Sequence, residues 1–181
     1  MKKIITYAVF ILALTLIQTN LIGNIAILGV KPNLFIVFII VVGLTNGSET
    51  GAVIGFIMGL VMDSYSPAPV GVYALIGLLL GILSGISNRN FFRDNYILTM
   101  AFAFIYTILF ETVVYFALIS NLFWPDGVLS VMINLLNSYK NFIVIEAIYS
   151  IPFALILHLL SFKFLVGLDK EGRRLRYRRG Y

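Results

Sequence analysis

Apolar positions in this chain gather into long runs at residues 4–22, 70–87, 96–119 and 142–162. Each run has the roughly 17 to 25 residues that a helix needs to cross a bilayer, so each predicts a spanning helix. Lys2 and Lys3 ahead of the first run give it the look of a signal peptide. It is too long for one and no Ala-x-Ala site follows, so it is read as the first span. Two shorter runs, 32–44 and 51–62, flank the turn-forming cluster Asn46-Gly47-Ser48-Glu49. At 1.5 Å of rise per residue each gives about 20 Å, against a hydrocarbon core of about 30 Å. Either both cross, helped by flanking residues and local thinning, or together they form a re-entrant hairpin. Pro32 suits the first turn of a helix, where its missing N–H costs nothing. The preferred reading is an all-α, multi-pass membrane protein with six transmembrane helices, and four spans plus a hairpin is the alternative.

Two segments depart from this pattern. Residues 128–139 place Val128, Val131, Met132, Leu135, Leu136 and Tyr139 on one helical face, and Ser130, Asn134, Asn137 and Ser138 on the other. That predicts a helix lying in the membrane interface, at the outer surface. Residues 169–181 (DKEGRRLRYRRGY) are polar and basic without an apolar face. They are expected to be a disordered tail, acting as a stop-transfer charge cluster or drawn to anionic lipid. The chain then divides into one transmembrane domain, 1–168, and a basic cytoplasmic tail, 169–181.

Composition agrees with residence in a bilayer. Of 181 residues 60% are hydrophobic, where soluble domains have roughly 45 to 50%. A net charge of +5 would suggest nucleic acid in a soluble protein, but here the cations report orientation. With the N-terminus inside, Lys2, Lys3, Arg89, Arg93, Lys163, Lys170 and the tail arginines are cytoplasmic, leaving Lys31 and Lys140 outside. Both termini are therefore expected in the cytoplasm, with basic contacts at Arg89 and Arg93 in the loop 88–95 and at Arg173, Arg174 and Arg176 in the tail. No cysteine is present and His158 is the single histidine, which excludes disulfides, thiol nucleophiles and a histidine-based metal cluster. No nucleophile triad, phosphate-binding loop or catalytic carboxylate motif occurs, so neither an enzyme nor a cofactor is expected.

Glycines recur at every fourth place in two neighbouring segments: Gly51, Gly55 and Gly59 ahead of Asp63, then Gly77, Gly81 and Gly85 with Ser84 beside them. In lipid, helices gain little by hiding apolar side chains from each other, so close backbone approach through small residues supplies the adhesion. These strips are expected to pack the chain's own helices, or to form a seam for another protein's membrane helix.

Glu111 lies well inside one span and Glu146 near the outer end of the last. A carboxylate in hydrocarbon is costly unless neutral, paired or wetted. The first of these spans runs outward and the other inward, so both glutamates fall in the outer half and can line one outward cavity. Tyr115, Lys140, Asn134 and Asn141 are candidate partners there; the alternative is a neutral glutamic acid bonded to a neighbouring helix. Pro152 should bend the last span by freeing the carbonyl of Ile148. The inner half offers only His158, too little for a proton relay.

Taken together, Lys31-Pro32-Asn33-Leu34, the short run after it, Glu49, the strip Gly51, Gly55, Gly59 with Asp63, and then Ser66-Pro67 and Gly71 resemble the MreD family of bacterial rod shape-determining membrane proteins. That family usually reads Pro-Asp-Leu where this chain has Pro32-Asn33-Leu34. The resemblance implies a non-enzymatic scaffold in the bacterial inner membrane, part of the cell-elongation and peptidoglycan synthesis machinery. Its implied partners are the bitopic protein MreC directly, and MreB, RodA and a class B penicillin-binding transpeptidase in a larger complex. It further implies a fold similar to the S components of energy-coupling-factor transporters. An S-component-like subunit binding a vitamin or lipid is the runner-up; Ala8 and Ala13 in the first helix are five apart and miss the Ala-x-x-x-Ala spacing of such subunits.

Overall fold

The structure is a computed structural model, and it describes residues 2–20, 30–66, 70–87, 96–121, 133, 137 and 142–161. Those residues form helices α1 (Lys2–Asn20), α2 (Leu34–Asn46), α3 (Ser48–Asp63), α4 (Val72–Ser87), α5 (Tyr96–Asn121) and α6 (Val144–Ser161), with no strand among them. Within α5, Tyr96–Val114 is long and apolar enough to cross a membrane by itself; α1, α2, α4 and α6 carry shorter apolar stretches. The predicted interfacial helix at 128–139 lies outside the described residues except at 133 and 137, both helical. The loop 88–95 and the tail also lie outside them.

Helix α2 is the centre of the bundle. Every residue from Leu34 to Thr45 is buried, and α2 packs against α1, α3, α4, α5 and α6. That accounts for a sequence that is apolar on all sides: with protein all round, no face is left for polar residues. Phe38 stacks on Phe10 of α1, with ring centroids 5.9 Å apart.

Both ends of α2 are closed by side chains or by glycine. At its start the first N–H groups lack partners within the helix. Gln18 of α1 supplies one, its Oε1 accepting from the Leu34 N–H at 3.0 Å while its Nε2 donates to the Pro32 carbonyl at 3.1 Å. Asn33 Oδ1 accepts from the Ile36 N–H at 3.4 Å, the usual N-cap bond. At its far end Gly47 takes φ 93°, a region open to glycine because it has no Cβ. Its N–H donates to the Gly43 carbonyl and its own carbonyl accepts from the Gly51 N–H, both at 2.9 Å, so one residue ends α2 and starts α3.

The second short run is longer than expected. Ser48, Glu49 and Thr50 belong to α3 rather than to a turn, so α3 has 16 residues, as many as α4. Polar residues suit a first turn, where a carboxylate such as Glu49 meets the positive end of the helix. Helices α3 and α4 run antiparallel, and α5 packs against α6.

Candidate functional site

The two glycine strips meet each other. A Cβ built on Gly51 would fall on the carbonyl oxygen of Gly81 and the reverse; Gly55 and Gly77 stand in the same relation. Gly59 lies against the backbone of Tyr73 and Ala74, and Gly85 against that of Ser48. The matched positions step by four in opposite directions, 51 with 81, 55 with 77 and 59 with 73, which is an antiparallel seam along the whole length of both helices. Gly43 of α2 extends it, since a Cβ there would strike Ser84. Neither strip is left bare for a foreign helix.

Asp63 closes that seam at one end. Its carboxylate is buried and accepts three backbone N–H groups at the start of α4: Gly71 at 2.9 Å and Ala74 at 3.2 Å on Oδ2, and Tyr73 at 3.0 Å on Oδ1. An anion at a helix N-terminus satisfies donors that the helix leaves open and meets its positive dipole end. The residue is a cap delivered from the preceding helix. Gly71, at φ 102°, makes the turn that aims those N–H groups back.

Beside this cap lies a cavity of about 690 Å³, to which all six helices contribute. Gln18 and Thr19 come from the end of α1, Asn33 and Phe35 from the start of α2, Met62 from the end of α3 with Tyr65 and Ser66 just beyond, and Tyr73 from the start of α4. Glu111 of α5 and Glu146 of α6 complete it. The structure thus brings the two glutamates to one cavity. Of their expected neighbours, Lys140, Asn134 and Asn141 lie outside the described residues, as does the side chain of Tyr115. Arg89, Arg93, Arg173, Arg174 and Arg176 lie outside them as well.

A polar seam leads away from the cavity between α5 and α6. Thr99, Ala103, Thr107 and Glu111 recur every fourth residue on α5, and Glu146, Ser150, Ala154 and His158 do so on α6. Six of the eight are fully buried, the two glutamates being the exceptions. Thr99 Oγ1 and His158 Nδ1, 3.1 Å apart, share a hydrogen bond that sets the antiparallel register; Ser150 Oγ donates to the Ala147 carbonyl at 2.6 Å. Two buried hydroxyls, Thr107 Oγ1 and Tyr149 OH, lack a partner among the described residues. The four-residue spacing of this seam is present in the sequence, but its threonines and serine carry no charge and so give no ionisable signal. Gln18 is likewise uncharged, and its polar end inside an apolar run is the available signal.

The arrangement offers a rigid, glycine-welded pair of helices and an acidic cavity. Among the described residues no three of His, Cys, Asp and Glu are grouped to hold a metal. The family model for the rod shape-determining protein MreD matches residues 1–166 of the chain. No curated protein and no solved structure matches it.

Proposed function

This chain belongs to the MreD family of rod shape-determining membrane proteins, and from that premise we propose that it is a non-enzymatic scaffold of the bacterial cell-elongation machinery. It holds the bitopic protein MreC and, through it, MreB filaments, RodA and a class B penicillin-binding transpeptidase. The chain crosses the inner membrane six times with both termini in the cytoplasm. What supports six crossings over a hairpin is the glycine seam: α3 accompanies α4 from Ser48 beside Gly85 to Asp63 at the start of α4, so it covers whatever thickness α4 covers.

The single observation that carries the scaffold reading is the closure of both glycine strips on each other. A core held by backbone contact leaves little room for internal rearrangement, as suits a fixed mount. The partner's membrane helix then rests on lipid-facing side chains, not on glycine, a change from the sequence expectation of docking through small-residue faces. The basic tail and the loop 88–95 contact anionic lipid on the cytoplasmic side.

Depletion from a rod-shaped bacterium tests this. Cells should round up, while membranes prepared from them keep polymerase and transpeptidase activity, and MreC should co-purify with the chain from solubilised membranes. Rods that persist after depletion, with MreC absent from the purified chain, would remove the scaffold role. A separate small-molecule role is favoured by one observation, the cavity at Glu111 and Glu146.

A further inference from the structure

The cavity is far larger than a water site. About 690 Å³ falls within the roughly 300 to 1,000 Å³ typical of small-molecule pockets, whereas a water occupies about 30 Å³. Besides the neutral polar side chains of Gln18, Thr19, Asn33 and Ser66, its lining holds two further chemistries. Phe35, Met62, Tyr65 and Tyr73 form an apolar and aromatic wall, while Glu111 and Glu146 bring two carboxyl groups from different helices. The two carboxyl groups line one cavity, and none of the described lining residues is a lysine, arginine or histidine. One turn along its helix from each glutamate, Thr107 Oγ1 and Tyr149 OH are buried without a partner among the described residues, although neither residue lines the cavity. Groups buried in this way ordinarily find a partner.

A ligand that satisfies this lining has a cationic head rich in donors and an apolar body. A primary ammonium suits the head, because it carries three N–H donors, enough to serve more than one carboxyl group, and charge-assisted bonds to a carboxylate are the strong ones. Aromatic faces and a thioether next to it accept the attached carbon chain, and a ring face also attracts the cation. We propose that this cavity binds a primary alkylammonium compound, its head held between Glu111 and Glu146 and its carbon chain lying against Phe35, Met62, Tyr65 and Tyr73. The ammonium is supplied by a soluble amine or by the headgroup of an aminophospholipid. The inference deepens the small-molecule reading and does not depend on the scaffold, whose test measures cell shape and MreC.

The experiment uses the full chain in phosphatidylcholine nanodiscs, with radiolabelled hexylamine as probe and 1-hexanol as its uncharged counterpart. Hexylammonium should bind saturably and raise the Tm of the chain, whereas 1-hexanol should only partition without saturation. Glu111→Gln and Glu146→Gln should each weaken binding at least ten-fold while the unliganded chain melts as before. Glu49→Gln, an exposed acid at the far end of the bundle, should leave binding unchanged. Competition when phosphatidylethanolamine replaces part of the lipid assigns the ammonium to a headgroup, and its absence assigns it to a soluble amine; either supports the site. Unsaturable uptake of hexylamine by the native chain, equal binding of 1-hexanol, or full affinity in both glutamine variants would overturn it. Should a variant fail to fold, the Tm shift of the native chain, charged probe against uncharged, decides alone.

Discussion

Gly55 of α3 and Gly77 of α4 face each other so closely that a Cβ on either would land on the other's backbone carbonyl. Neither carbonyl can retreat without taking its helix with it, so added volume must separate the two helices along their length. Gly55→Ala should therefore destabilise the chain by about 1–3 kcal/mol, the usual cost of overpacking, and Gly55→Leu by more. Leu60→Val, on the exposed side of α3, should change little. Thermal unfolding of the purified variants in one detergent checks this; equal melting of Gly55→Ala and Leu60→Val would refute it.

Glycine at position 47 matters for a different reason. Nothing lies within 4 Å of its added Cβ, but its φ is +93°. Gly47→Ala should cost about 1–3 kcal/mol through strain, and Gly47→Asn about as much, because ψ 174° places the residue outside the left-handed helical region that asparagine tolerates. If both variants melt with the native chain, backbone strain does not govern the site.

Asp63→Ala should cost more than an ordinary cap. Removing a helix cap costs about 0.5–2 kcal/mol, and here three N–H groups, one buried and two partly buried, lose their acceptor together. Asp63→Asn keeps one acceptor oxygen and should fall between alanine and the native residue. Amide hydrogen exchange at Gly71, Tyr73 and Ala74 is the direct readout, and protection that survives in the alanine variant would contradict the cap.

Gln18→Leu removes both bonds that tie the end of α1 to the start of α2. Interhelical hydrogen bonds in membrane proteins average about 0.6 kcal/mol, so the global loss should be small, near 1 kcal/mol for the two. The larger effect should be local, as earlier proteolytic cutting in the segment that joins α1 to α2. Unchanged cutting in the leucine variant would show that the tie carries no local stability.

Much of the architecture was legible because hydropathy and small-residue spacing act locally along a helix. The runs at 70–87 and 96–119 lie within two residues of α4 and α5 at each end. Glycine spacing revealed two sticky faces, yet which surface each face meets depends on how distant segments come together, and that is not written in either strip. Asp63 was readable as the polar end of a strip but not as a cap for α4, since its three donors lie 8 to 11 residues away. The meeting of Glu111 with Glu146 followed from counting crossings, whereas Gln18, Asn33, Tyr65 and Tyr73 joined them only through the three-dimensional path of α1 to α4. Polar residues opening α3 read as a turn because a helix start and a turn draw on the same residue types.

Single-cysteine cross-linking in living cells tests the central claim most directly, because the chain has no cysteine of its own. Ser84, fully buried in the seam, is nearly isosteric with cysteine, and Ser84→Cys is the probe of the glycine interface. Leu12→Cys, Leu79→Cys, Ile105→Cys and Ile156→Cys sample exposed faces of α1, α4, α5 and α6. The account predicts a product with MreC from at least one exposed position and none from Ser84→Cys. A product from Ser84→Cys, with none from the exposed set, would mean that the glycine seam opens to receive the partner.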